Sequence, residues 1–212
     1  MRDRDIITIA LPKGKLLNAS IKLFKKVGID VDIKSDSRKL VFEDKGNRYR
    51  YMIVRAVDIP TYIEYGASDI GIVGKDVLLE QDKNIYEPLD LGFGYCKLVI
   101  AEPKAVSKNS LIYCSKVKVA TKYPNITEWY FSNKGIPCEI IKLYGSVELA
   151  PIVGLAEKIV DLISTGKTLK ENNLREVETI TESTARLVVN RASHKIKYKR
   201  IRELIEELGN RI

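Results

Sequence analysis

Histidine is nearly absent from this chain of 212 residues: His194 stands alone. That excludes a zinc site of Cys/His type and the usual Ser/His and Cys/His nucleophile pairs. Cysteine is scarce as well. Cys96, Cys114 and Cys138 sit in separate apolar contexts at no metal-like spacing, and their odd number argues for buried thiols in a reducing compartment. No apolar run reaches the ~18 residues of a membrane span. Met1 to Asp5 leads into a strand-like run without the apolar stretch of a signal peptide. The expectation is a cytoplasmic chain with no membrane association. Linkers rich in Pro, Gly or Ser are missing, as are low-complexity segments and repeats. What remains is an ordinary globular mixture, 45% hydrophobic and 30% charged, able to bury a core without staples. The net charge of +8 comes from scattered lysines. Without a basic stripe or arginine–aromatic interleaving it argues against nucleic acid as a partner and leaves small anionic ligands in view.

Strand-like and helix-like runs alternate. Strands are expected at 6–11, 38–42, 49–55, 70–73, 96–101, 117–121, 139–143 and 186–190, and in the apolar run that ends at Ser164. Helices are expected at 16–27, 59–65, 76–81, 126–133 and 147–157, the last kinked or split by Pro151, with one final helix at 196–208. This alternation implies an α/β protein with mostly parallel sheets. Two glycines in "DLGFGYC", residues 90–96, mark a plausible crossing from one lobe to another, and a second crossing after Leu174 would return the chain. The expected division is 1–91 plus 177–212 for one lobe and 92–176 for the other. Ligands of such sheets sit at the carboxyl ends of strands.

Several short motifs carry chemistry. "ISTGKTLKENNL", residues 163–174, follows a strand and offers Ser164, Thr165, Gly166, Lys167 and Thr168 before a helix-like stretch. Gly166-Lys167-Thr168 matches the second half of a Walker A loop, but Asp161 stands where the first glycine belongs. Hydroxyls, backbone N–H groups and one cation suit a phosphate at a helix start; a plain βα turn capped by Thr168 is the alternative. "LPKGKL" puts Lys13 and Lys15 around Gly14 at the start of a helix, and "SRKL" places Arg38 and Lys39 ahead of a strand. "RAVDIPTYIEYGASDIGIVGKD", residues 55–76, strings Arg55, Asp69, Gly71, Gly74 and Asp76 around a short apolar strand, where small residues would let a flat ligand approach or simply serve turns. "YGSVELAP", residues 144–151, holds Ser146 as an expected cap and Glu148 in the first turn, a capping residue or a metal or ribose contact. The basic-then-acidic tail at 194–208 has one apolar face, read as docking on the body or on a partner.

"ALPKGKL", "SRKL", "RAVDIPTYIEYGASDIGIVGKDVLLE", "DLGFGYCKLVIA", "ATKYPNI", "IKLYGSVELAPIVGLAEKIVDLISTGKTLKENNL" and "STARLVVNRAS" occur in one order. Together, over about 6–195, they resemble the ATP phosphoribosyltransferase family in its short, catalytic-subunit form. The resemblance implies two α/β lobes with a central cleft, a periplasmic-binding-protein-like double crossover. It implies transfer of a phosphoribosyl group from phosphoribosyl pyrophosphate to N1 of ATP, the first step of histidine biosynthesis, with Mg²⁺. It places the ribose 5-phosphate at Ser164, Thr165, Gly166, Lys167, Thr168 and Leu169, the ribose hydroxyls at Asp161, and Glu148 on the same side. Lys15 and Arg38 fall near the pyrophosphate as catalytic cations. Lys13, Arg55, Asp69, Gly71, Gly74 and Asp76 would line the ATP side. No metal ligand is assigned. Many members carry arginine where Lys15 stands, and lysine keeps that charge without the two-point fork. With Ile212 just past the last expected helix, the resemblance implies the short form, which is expected to lack the histidine-binding extension of longer members. The implied partners are a second copy and, in a hetero-octamer, a regulatory subunit resembling histidyl-tRNA synthetase.

Other classes make different demands. A non-catalytic two-lobe binding protein would bind ATP without turnover. A phosphoribosyltransferase acting on a free purine would not require nucleotide phosphates. A nucleic-acid binder would show steeply salt-dependent binding.

Overall fold

A computed structural model describes residues 6–29, 40–44, 46, 48–104 and 116–212. Arg38, Lys39 and Cys114, and the first part of the strand expected at 38–42, lie outside these residues. The chain divides into two compact units, Met1–Gly94 with Thr184–Ile212, and Tyr95–Ser183.

The first unit begins with β1 (Ile7–Pro12), α1 (Lys15–Lys26), β2 (Val41–Glu43) and β3 (Tyr49–Val54). A 3₁₀ turn (Ala56–Asp58), α2 (Ile59–Glu64), β4 (Ile70–Gly74), α3 (Lys75–Gln81) and β5 (Tyr86–Asp90) follow. The second unit holds β6 (Cys96–Pro103), β7 (Val117–Thr121), α4 (Pro124–Asn133), β8 (Cys138–Lys142), α5 (Leu149–Ile152), β9 (Lys158–Ile163), α6 (Lys167–Glu171) and β10 (Leu174–Ser183). The chain returns to the first unit with β11 (Ala185–Val189), α7 (Arg191–Ile196) and α8 (Tyr198–Gly209).

Both sheets are mixed rather than mostly parallel. In the order β2-β3-β1-β4-β11-β5, β3, β1 and β4 run parallel, while β2 and β11 are antiparallel to their neighbours. In the order β10-β6-β9-β7-β8, β9, β7 and β8 run parallel, and β6 opposes both β9 and β10. The period-2 alternation of strand side chains builds a core on each face. Ile7, Ile9 and Leu11 of β1 pack with Phe24 of α1 and Ile201 and Leu204 of α8; Ala10 faces Ile59 and Ile63 of α2 and Val77 of α3. In the second unit Val99, Ala120 and Ile159 pack with Ala150 and Leu169, while Leu98, Val119 and Val160 face Ile126, Tyr130 and Phe131 of α4.

Four local expectations change. β5 and β10 are additional strands, both at sheet edges. Because β10 is one strand paired with β6 from Leu174 to Ser183, the return crossing falls at 183/184, not at 176/177. The helix expected at 147–157 shrinks to the single turn of α5, followed by Gly154 at φ 72°. The tail divides into α7 and α8 at Lys197, whose backbone leaves the helical conformation (φ -107°, ψ 28°) and whose ammonium reaches the Ile6 carbonyl (2.6 Å) and Asp69 Oδ2 (2.7 Å). Asn190 caps α7, accepting the Ser193 N–H at 2.8 Å.

Candidate active site

In the second unit, β7, β8 and β9 end at one edge of the sheet, and most of the phosphoribosyl candidates gather there. Asp161 sits near the end of β9, accepting the Leu162 N–H at 2.9 Å. Burial pushes its carboxyl above the ordinary aspartate range and the Glu148 charge adds to this, while the Leu162 N–H and the Lys122 ammonium act the other way. Asp161 is therefore close enough to feel both Glu148 and Lys122. Only Asp161 and Glu148 carried a sequence signal; Lys122, one residue past β7, was not singled out.

Beyond β9, Ser164, Thr165, Lys167 and Thr168 are exposed, and Gly166 adopts φ 69°, the left-handed conformation that lets the chain turn into α6. Among the described residues the loop's hydroxyls make no hydrogen bond, and Lys167 has only a loose contact with Glu171 at 3.7 Å. The Thr168 side chain does not cap α6, so the plain capped turn is not what forms. Leu169 is different from its neighbours: its side chain is buried in the core of the unit, leaving its backbone as the part a ligand could reach. The Ser146 side chain does not cap α5 either; Ser146 takes φ 48° and its carbonyl accepts the Leu149 N–H. A surface cavity of about 520 Å³ lined by Pro103, Pro151, Ile152 and Leu174 lies toward the opposite edge of the sheet, away from Asp161.

In the first unit the parallel strands β1, β3 and β4 end side by side. Lys13 follows β1 and donates its N–H to the Val54 carbonyl (2.8 Å), which brings it beside Arg55 at the end of β3. Lys15 opens α1 behind Gly14, whose φ of 105° is open to glycine alone. Gly74 ends β4, and Asp76, buried, lies in the first turn of α3. Lys13, Lys15, Arg55, Gly74 and Asp76 thus share one edge. The segment leaving this unit runs along the same edge, and a Cβ on Gly94 (φ 72°) would lie 2.3 Å from Leu16 Cδ2.

Two residues expected on the ATP side are structural. Asp69 precedes β4, at the amino end of the strand; its carboxylate accepts the Thr8 N–H (2.8 Å) and pairs with Lys197 (2.7 Å). Gly71 lies inside β4 beneath α2, where an added Cβ would sit 2.7 Å from Ile59 Cγ2, so its small size serves helix–sheet packing. The single histidine is also structural, packed between the rings of Tyr86 (5.1 Å) and Tyr198 (5.6 Å). Arg38 is outside the described residues. Among the described residues no three His, Cys, Asp or Glu side chains cluster to hold a metal ion, and no helix is long and apolar enough to cross a membrane.

The model of the family described as ATP phosphoribosyltransferase matches residues 55–210. The ATP phosphoribosyltransferase of Citrifermentans bemidjiense is 60% identical over 210 residues, covering 98% of this chain and 99% of that protein. That of Caldanaerobacter subterraneus is 53% identical over 205 residues, 96% of each. Among solved structures, the ATP phosphoribosyl transferase (HisG:HisZ) complex of Thermotoga maritima matches with a TM-score of 0.84 at 36% identity, covering 97% of this chain and 98% of that one. The periplasmic aliphatic sulphonate binding protein SsuA of Escherichia coli matches with a TM-score of 0.62 at 10% identity, covering 97% of this chain and 72% of that one, a likeness of fold alone.

Proposed function

The chain belongs to the ATP phosphoribosyltransferase family, and from that premise we propose how its own residues divide the work. The enzyme transfers the phosphoribosyl group of phosphoribosyl pyrophosphate to N1 of ATP, giving phosphoribosyl-ATP and pyrophosphate, the first step of histidine biosynthesis. Neutral N1 already carries a lone pair, so the reaction needs no strong general base. Breaking the C1–O bond builds positive charge on the ribose and negative charge on pyrophosphate. Catalysis is then positioning and electrostatics.

The observation that carries the assignment is the meeting of Asp161, Glu148 and the 164–169 loop at one edge of the second unit's sheet. The ribose 5-phosphate takes the hydroxyls of Ser164, Thr165 and Thr168 and the backbone N–H groups of the first turn of α6, which have no partners inside the helix. Asp161 accepts from the ribose hydroxyls, and its charge faces the positive character that develops at C1. Lys15, and Arg38 on the strength of the sequence, stabilise the departing pyrophosphate. Lys13, Arg55, Gly74 and Asp76 form the ATP side, supported by their common edge in the first unit.

Mg²⁺ belongs to the same proposal. Asp161 and Glu148 supply hard oxygens beside the phosphate loop, the donor set of an ion held by one or two carboxylates together with substrate phosphates. Bound there, it would neutralise charge on the pyrophosphate. The Thermotoga maritima protein is named as a HisG:HisZ complex, and this chain is proposed to work likewise in the cytoplasm, as a dimer joined in a hetero-octamer with a regulatory subunit.

The test follows phosphoribosyl-ATP by absorbance, with the purified chain, ATP, phosphoribosyl pyrophosphate, Mg²⁺ and a pyrophosphatase to prevent reversal. Thr165→Ala with Thr168→Ala is expected to raise the KM for phosphoribosyl pyrophosphate by roughly tenfold or more, the loss of one or two charge-assisted hydrogen bonds. Unchanged kinetics in that variant would remove the loop from the assignment.

A further inference from the structure

β7 and β9 are neighbouring parallel strands with Val119 opposite Lys158, Ala120 opposite Ile159 and Thr121 opposite Val160. One step further along the same register sets Lys122 opposite Asp161. Side chains at matched positions of parallel neighbours leave the same face of the sheet, so the ammonium and the carboxylate share a face at the edge where the phosphate loop begins.

A side chain adds to the backbone pairing there. Thr121 is fully buried, and its hydroxyl donates to the Val160 carbonyl at 2.7 Å while accepting the Tyr123 N–H at 2.9 Å. The first bond ties the end of β7 to β9. The second turns the chain immediately after Lys122, before α4 begins at Pro124. Lys122 is exposed and, among the described residues, makes no hydrogen bond or ion pair, so its three donors are open to a ligand. Of the other cations at this edge, Lys142 lies over the Tyr144 ring at 5.6 Å, and Lys167, loosely paired with Glu171, belongs to the loop proposed for the 5-phosphate.

The local charge favours a further cation beside the carboxylates of this edge, in addition to the Mg²⁺ and the cations of the first unit proposed above. Asp161 and Glu148 are two carboxylates at a site that must accept a substrate carrying a phosphate and a diphosphate. With the 5-phosphate in the loop after β9 and the ribose at Asp161, as proposed above, a cation opposite Asp161 on β7 stands one strand spacing of ~4.8 Å away, within reach of the C1 substituent. We infer that Lys122, fixed by Thr121, is a further substrate-contacting residue that holds the diphosphate of phosphoribosyl pyrophosphate beside Asp161. The inference rests on the loop assignment made above. Lys122 takes no proton and breaks no bond; it offers a positive charge, on a backbone position set by Thr121, to the group that leaves.

The experiment compares Lys122→Met and Lys122→Arg in the full chain, with Thr165→Ala plus Thr168→Ala alongside. For Lys122→Met, kcat/KM for phosphoribosyl pyrophosphate should fall roughly 10²-fold. Inhibition by inorganic pyrophosphate, measured without pyrophosphatase, should weaken about tenfold, and the KM for ATP should stay within about twofold. Lys122→Arg keeps the charge and should recover most of both losses. Unfolding followed by Trp129 fluorescence should match the parent, since the side chain is exposed. Unchanged diphosphate inhibition in Lys122→Met overturns the inference, as does a loss that falls equally on ATP. If the loop variant is impaired while Lys122→Met is not, only the Lys122 assignment fails; if neither is impaired, the loop reading fails with it.

Discussion

Glu102→Gln should destabilise the second unit without touching the chemistry. Glu102 lies on β6 between two cations on neighbouring strands, Lys158 at the start of β9 and Arg175 on β10. The Arg175 contact is 2.7 Å, and the side chains of Glu102 and Lys158 are only 11% and 13% exposed. Removing one member of a buried pair costs ~3–5 kcal/mol, because the other charge stays behind without a counterion. Arg175 is 42% exposed and can turn to water, so its share is discounted. That leaves about 3 kcal/mol, and at ~2–4 °C per kcal/mol for a chain of this size the midpoint should drop roughly 6–12 °C. The only tryptophan, Trp129 on α4, reports this unit by fluorescence. Burial raises the Glu102 carboxyl, but Lys158 and Arg175 outweigh it and hold it below the ordinary glutamate range. A lowered folded value means the contribution is complete above the unfolded value of about 4.5 and is lost as pH falls through the folded one. The gap between parent and variant should therefore close in acid. A variant within ~0.5 kcal/mol of the parent at neutral pH would refute the reasoning, as would a gap that persists undiminished in acid. Adding Lys158→Met to Glu102→Gln should recover stability by removing the stranded charge.

Gly94→Ala should impair turnover through Leu16, because the new methyl would stand 2.3 Å from Leu16 Cδ2 beside the first turn of α1. Leu16 can shift its side chain, but only by disturbing the start of α1, and φ 72° strains any side chain at position 94 independently; Leu16→Ala in the same background should restore the part of kcat lost through α1, and no recovery would dissociate Gly94 from Lys15. Arg38→Ala should lower kcat by roughly 10²–10³-fold while the KM for ATP changes little; pre-steady-state kinetics showing the opposite pattern would move Arg38 to the nucleotide side.

The secondary structure was legible wherever one face of an element is apolar. The alternation in Ile7–Leu11 and the spacing of Leu23 and Phe24 in α1 report their own burial. β5 and β10 were not legible for the converse reason. β5 carries Pro88 and β10 reads "LREVETITES", both edge strands whose polar side chains advertise no core. Their existence depends on the partners β11 and β6, far away in sequence. The same distinction divides the site. "ISTGKTL" reads as a candidate phosphate loop by local composition, because a short run of hydroxyls and backbone donors suits a phosphate. Asp69 and Gly71 looked equally suited to a ligand. Only the tertiary partners, Lys197 and Thr8 for one and Ile59 for the other, assign them to structure.

What the sequence by itself offered was the inventory: alternating strands and helices with two candidate crossings, a chemistry without histidine, a candidate loop for phosphate and a carboxylate before it. The elements, the loop and its carboxylate are written in contiguous residues, where spacing along the chain equals spacing in the element, and the scarcity of histidine in the composition. What only the tertiary structure decided was which groups face each other. The order of strands, the return crossing at 183/184, the triad of Arg175, Glu102 and Lys158, and Lys122 opposite Asp161 all depend on register between strands distant in the chain. Register is set by the summed burial of both faces and by single side chains such as Thr121, and no local window of sequence contains that sum.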